Sequence, residues 1–128
     1  MTELYEKSMK KLELDAVLDR LAGCATSEEA KDRCSALRPL SDAEEIRRLL
    51  EQTSAACGMI TLKGAPGFQD VREVASSLER ADRGVCLTPV ELLRIAGVLR
   101  CIRSVKAYYN SDSNRSVLDV YFQELSPN

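Results

Sequence analysis

Four basic side chains lie close together in the last third of the sequence and could bind a polyanion: Arg94, Arg100, Arg103 and Lys106. Arg100, Arg103 and Lys106 follow one another at intervals of three residues, so on a helix they form a positive stripe. A solvated helix face is the simpler interpretation, because 18 basic and 20 acidic residues leave a net charge of −2 and no global field for a polyanion. The four residues are nevertheless candidates for contact with nucleic acid or with a protein partner.

Side chains that catalyse reactions or bind metals are otherwise sparse. The chain has no histidine, which removes the commonest general base and metal ligand. Its five cysteines form no CxxC pair and fall mostly in apolar stripes, so we predict core thiols. The Gly-Ala-Pro-Gly sequence at residues 64–67 lacks the glycine-lysine-hydroxyl ending of a phosphate-binding loop. We therefore predict no catalytic, metal-binding or cofactor-binding residue in this chain.

The composition favours an all-α protein. Aromatic residues make up 5% of the chain and tryptophan is absent, which argues against a β-sandwich or barrel. A length of 128 residues is enough for one core, and we predict a compact antiparallel bundle of about five or six helices. The odd number of widely spaced cysteines is typical of reduced thiols. With no signal peptide or membrane-spanning run in the sequence, we expect a cytoplasmic location and no membrane partner.

Residues 41–60 predict the central helix of this bundle. Ser41 and Glu44 have the spacing of a capping box. The apolar residues of this helix repeat at helical spacing and form one central stripe: Ile46, Leu49, Leu50, Thr53, Cys57 and Ile60. We expect partner helices to bury the central stripe. Leu50→Asp would then place an unpaired charge in the core and destabilise the protein severely.

A second long helix is predicted over residues 89–109. Thr88 is a suitable N-cap, Pro89 suits the first helical position and Glu91 the third. The apolar arc of this helix is wide, which indicates contacts on two sides.

The remaining elements are shorter. A capping-box spacing between Thr26 and Glu29 marks one helix start. Short helices are predicted over residues 1–11, 12–25, 26–37, 71–81 and 117–125. The predicted organisation is a helical segment at residues 1–110, a polar hinge at residues 111–116, and a short terminal helix with a tail at residues 117–128.

Five stretches of sequence occur in a specific order and spacing. They are LELDAVLDRLA at 12–22, TSEEAK at 26–31, LRPLSD at 37–42, LKG at 62–64 and LTPVELL at 87–93. Together they resemble the N-terminal region of the bacterial MutS-II family, the MutS paralogues that lack the mismatch-reading domain and carry a C-terminal Smr nuclease domain. The third stretch is also similar to the start of the core domain in MutS proteins generally.

The resemblance implies a parent protein with activities that lie outside this chain. Such a parent binds branched DNA, hydrolyses ATP with Mg, suppresses homologous recombination and acts as an endonuclease through its Smr domain. Family members are also implicated in rescuing collided ribosomes, which implies rRNA binding. The implied partners are the rest of the parent chain, a second copy in a homodimer, branched DNA and the ribosome. No catalytic residue is carried over, because the ATP and nuclease motifs would lie beyond Asn128.

A free-standing helical protein-protein interaction module is the alternative, with residues 89–109 docking a partner. A gene that continues past Asn128 into a GxxxxGK[ST] segment supports the MutS-II interpretation. A stop at that point favours the module.

Overall fold

Seven helices make up the part of the chain that the computed structural model describes, residues 2–68 and 71–126. They are α1 (Thr2–Lys11), α2 (Leu14–Gly23), α3 (Glu28–Ser35), α4 (Ala43–Lys63), α5 (Ala75–Asp82), α6 (Pro89–Tyr109) and α7 (Asp119–Gln123). These residues contain no strand, so the all-α prediction is confirmed. Each of the described helices falls short of the length or apolar character that crossing a membrane requires. The last two residues of the predicted terminal segment, 127–128, lie outside the described residues.

The chain divides into two compact units, Met1–Pro39 and Leu40–Asn128. In the first unit α2 packs against α1 and α3, and Leu18 of α2 is buried. The Tyr5 hydroxyl donates to the carbonyl of Pro39 at 3.1 Å. The predicted domain boundaries near residues 110 and 116 stay predictions.

Two predicted helix caps are wrong by one residue, and the helix predicted over residues 71–81 begins only at Ala75. Helix α3 is capped by Ser27 in place of Thr26, and the Ser27 hydroxyl accepts from the Ala30 amide at 3.2 Å. Helix α4 is capped by Asp42 in place of Ser41, and one Asp42 carboxylate oxygen accepts from the two following free amides at 2.9 and 3.0 Å. The carboxylate has the advantage because it accepts from the amides and also carries negative charge at the positive end of the helix dipole.

Helix α6 supplies the buried line of the second unit. Gly97, Cys101 and Val105 are buried and are spaced by four residues, so they lie on one side of the helix. Helix α7 packs against the end of α6. There the rings of Tyr109 and Phe122 stack with centroids 4.8 Å apart.

The prediction that the central stripe of α4 is buried is wrong. No residue of α4 is buried, and within the stripe Leu50 is 60% exposed and Ile60 47% exposed. The half-buried side of α4 carries Gln52 and Lys63, which lie about 100° around the helix from the stripe. Gln52 donates to the Tyr121 hydroxyl of α7 at 3.0 Å. The end of α6 and α7 therefore meet the side of α4 that carries Gln52 and Lys63, and the stripe is exposed except at the half-buried Ile46.

The prediction of core thiols holds fully only for Cys101, which is buried, and in part for Cys34, which is half-buried. It is wrong for Cys24, Cys57 and Cys86, which are exposed. Cys57 shows the reason, because it belongs to the solvent-facing central stripe.

Candidate interaction surface on helix α6

A network centred on Glu91 fixes the start of α6. The predicted capping box is confirmed: the Glu91 amide donates to the Thr88 hydroxyl at 3.3 Å, and the Thr88 amide donates to the Glu91 carboxylate at 2.8 Å. From α5, Arg80 and the Ser77 hydroxyl donate to the same carboxylate. The Glu91 side chain is only 15% exposed. One carboxylate thus both caps α6 and ties α5 to its first turn.

This network makes the stability of the second unit depend on pH. The hydrogen bond from the Thr88 amide, followed by that from Arg80, lowers the pKa of Glu91 from 4.5 to about 2. A carboxyl group with a lowered folded-state pKa contributes stability above its unfolded pKa and loses that contribution as the pH falls through the folded value. The stabilisation from Glu91 is therefore complete above about pH 5 and is lost towards about pH 2.

Glu91→Gln should lower the thermal midpoint by several degrees at neutral pH and flatten the loss of stability on acidification. The amide keeps the side-chain volume but carries no charge to titrate. Thermal melts followed by circular dichroism between pH 7 and pH 2 measure both effects. Glu79→Gln, on the exposed side of α5, is the matched control. If the thermal midpoint of Glu91→Gln fell as steeply on acidification as that of the unmodified chain, this role would be contradicted.

Lys63 holds the end of α6 to the end of α4. Its Nζ donates to the Tyr108 carbonyl at 2.7 Å and to the Ser111 hydroxyl at 3.3 Å, and it pairs with the Asp112 carboxylate at 3.1 Å. Only 15% of the Lys63 side chain is exposed. The hydrogen bond from Lys63 lowers the pKa of Asp112. Residues 111 and 112 of the predicted hinge are therefore attached to α4, and the assignment of 111–116 as a hinge stays a prediction.

Between these two attachments α6 exposes large apolar side chains. Val90, Leu92 and Leu93 are each more than half exposed, and Leu99 is 37% exposed. The wide apolar arc is thus buried only on the side of Gly97, Cys101 and Val105. The rest of the arc is apolar surface open to a partner.

The structure places the four predicted basic residues in different surroundings. Lys106 holds α7, because its Nζ donates to the Phe122 carbonyl at 2.8 Å, and Arg103 is also engaged in an interaction. Arg94 and Arg100 instead flank a groove of about 190 Å³. Contact of the four residues with nucleic acid or a partner stays a prediction.

Arg72 lines the same groove, and it was not among the predicted site residues. Arg72 precedes α5 and lies far from α6 in sequence, so no spacing pattern links it to Arg94 and Arg100.

The fold is a set of helices that leaves large apolar side chains of α4 and α6 exposed. Across residues 2–68 and 71–126, no group of three or more cysteine or acidic side chains is placed to hold a metal ion. Contiguous exposed apolar faces of this kind are typical of interaction surfaces.

No protein-family model matches the chain. It is similar to proteins named Endonuclease MutS2: 34% identical over 122 residues in Acetivibrio thermocellus, 35% over 128 in Ruminiclostridium cellulolyticum and 38% over 107 in Clostridium botulinum. These matches cover 95%, 98% and 84% of the chain but only 15%, 16% and 14% of the relatives. The chain therefore matches a segment of MutS2, and the resemblance to this family is confirmed. The chain spans about 15% of the length of the curated relatives it matches.

Proposed function

We propose that the chain is a non-catalytic helical segment of a MutS2-type DNA-binding ATPase and endonuclease, and that the exposed central stripe of α4 packs against the rest of that protein. The observation that carries the proposal is the central stripe of α4. This helix has 21 residues and none of them is buried, although its apolar side chains repeat on one face. A long amphipathic helix gains most of its stability from burying such a face, so the stripe requires a partner beyond this chain.

Two further features support a covering partner. Val117, Val120 and Tyr121, in and just before α7, are each about half exposed. A groove of about 610 Å³ lies between α4 and the segment before α7, with Leu50 and Val117 among its lining residues. The groove joins the central stripe to the exposed side of α7, so one packing element could cover both.

The activity of the parent is proposed from the resemblance. The parent acts on branched DNA, suppresses homologous recombination, uses ATP and Mg, and rescues stalled ribosomes through rRNA contacts, as a homodimer in the cytoplasm. In this proposal the present segment is a structural relay between the DNA clamp and the ATPase. In this role the segment couples the position of the DNA clamp to that of the ATPase and carries out no chemical step itself.

The test compares the isolated chain with the complete protein. The gene should continue past Asn128 into a GxxxxGK[ST] segment, and amide hydrogens of α4 should exchange at least about tenfold more slowly in the complete protein than in the isolated chain. The purified chain alone should neither hydrolyse ATP nor nick DNA above the buffer control, whereas the complete protein should do both. Unchanged exchange in α4, or activity of the isolated chain that a substitution within it abolishes, would contradict the proposal.

The alternative is a free-standing interaction module, and the exposed apolar side chains of α6 are the observation that favours it. Leu92 and Leu99 lie outside the buried line of α6 and are free to contact another protein. A gene that stops after Asn128 would select this alternative.

A further inference from the structure

Three arginine side chains meet at one short groove beside α6. We call this the arginine groove, and its lining residues are Arg72, Val90, Leu93, Arg94, Gly97 and Arg100. The lining contains no acidic residue, so the groove concentrates positive charge in a chain whose net charge is −2.

The three guanidinium groups have no ion-pair or hydrogen-bond partner within residues 2–68 and 71–126. Elsewhere in the same unit, Arg80 and Lys63 are held by carboxylates. Arginines grouped without a counter-charge repel one another, and an anionic ligand relieves that repulsion. Their planar donors fit carboxylate oxygens in a two-bonded geometry.

The groove is also apolar. Leu93 is 66% exposed and Val90 is 57% exposed, so each presents most of its surface to the groove and to solvent. A ligand that covers the groove must therefore bring apolar groups as well as negative charge. Arginine is among the residues enriched at protein-protein interfaces.

We propose that the arginine groove docks an acidic amphipathic helix of a partner protein. Arg94 and Arg100 are six residues apart on α6, which separates them by about 9 Å along the helix and by about 120° around it, with Val90 and Leu93 between them. Carboxylates one to two turns apart on a partner helix span about 6 to 10 Å, so they can pair with both arginines. The apolar side chains between those carboxylates then cover Val90 and Leu93.

Nucleic acid fits the groove less well than such a helix. A nucleic-acid backbone needs a continuous positive track, whereas Lys106 and Arg103 are engaged within the chain. Val90 and Leu93 offer nothing to a phosphate. Binding of nucleic acid is therefore the competing outcome of the test.

The test uses three labelled probes with the 128-residue chain. The first is a synthetic helical peptide with leucines on one face and glutamates one and two turns apart beside them. The second is a scrambled peptide of the same composition, and the third is a 20-base-pair DNA duplex. Fluorescence anisotropy should show that the chain binds the amphipathic peptide at least about tenfold more tightly than the scrambled one.

Charge reversal and apolar truncation identify the site. The double variant Arg94→Glu, Arg100→Glu should weaken binding of the amphipathic peptide at least about tenfold. Leu93→Ala should weaken it several-fold, although it changes no charge. The matched control, Arg47→Glu with Arg48→Glu, makes the same charge change on α4 and should leave the affinity within about twofold. Far-UV circular dichroism verifies that all variants keep the helical content of the chain.

Three outcomes overturn the proposal. Equal binding of the two peptides would show that no amphipathic geometry is recognised. An equal loss in the α4 control would reduce the effect to net charge. The groove would be assigned to nucleic acid by a third result: duplex binding falls in the Arg94→Glu, Arg100→Glu variant and is unchanged in Leu93→Ala, while both peptides bind weakly to every variant.

Discussion

Val105→Asp should abolish the cooperative unfolding transition of the second unit. Val105 is 4% exposed on the buried side of α6, and an aspartate there would bury a carboxylate with no partner. Such a change costs about 4 kcal/mol or more, a large part of the roughly 5–15 kcal/mol by which a folded protein is stable. Urea titration followed by far-UV circular dichroism measures the loss. A transition within about 1 kcal/mol of the unmodified chain would show that α6 packs through another side.

Leu50→Asp is the matched control, because it is a similar substitution on the other long helix. At 60% exposure the new carboxylate stays in water, so the isolated chain should change by only about 0.5 kcal/mol. This expectation replaces the severe destabilisation that the apolar period of α4 predicts. In the complete protein the same variant should destabilise α4, since the proposed partner covers the central stripe there. Equal, small effects in both contexts would contradict the proposed packing.

The helix starts were predictable where the signal is local. Thr88, Pro89 and Glu91 supply a cap, a preset backbone angle and a reciprocal hydrogen bond within four residues, so α6 begins where the sequence indicates. The errors at α3 and α4 arise where two neighbouring residues can both cap. At α4 both Ser41 and Asp42 qualify, and only the final backbone path selects between them.

The buried faces were less predictable because they depend on neighbours. A 3.6-residue period identifies the apolar side of α4, but it does not identify which element of the chain reaches that side. Here Gln52 and Lys63 meet α7 and the segment after α6, while Leu50 faces solvent. The apolar pattern of α4 is therefore not matched by burial among the residues that the structure describes.

Only part of the candidate surface was predictable, because some of its contacts join residues that are distant in sequence. The sequence placed Arg94 and Arg100 on one predicted helix, in a basic cluster with Arg103 and Lys106. The arrival of Arg72 at their groove and the attachment of Lys106 to Phe122 are tertiary contacts between residues distant in sequence. No helical periodicity encodes them.

Lys63→Ala should release the end of the chain from α4. The ammonium group of Lys63 joins the Tyr108 carbonyl, the Ser111 hydroxyl and the Asp112 carboxylate at one point, and alanine replaces none of these contacts. Hydrogen bonds to a charged group are among the stronger ones in a protein, so amide hydrogens of α7 should exchange at least about tenfold faster in the variant.

The lowered pKa of Asp112 gives the same release a pH dependence: the pairing is complete above the ordinary carboxyl pKa and weakens as the pH falls below about 4. Arg115→Ala, in the same segment, is the control and should leave exchange in α7 unchanged. Equal exchange in Lys63→Ala and the unmodified chain would mean that the stacking of Tyr109 on Phe122 and the hydrogen bonds from Gln52 and Lys106 hold α7 without Lys63.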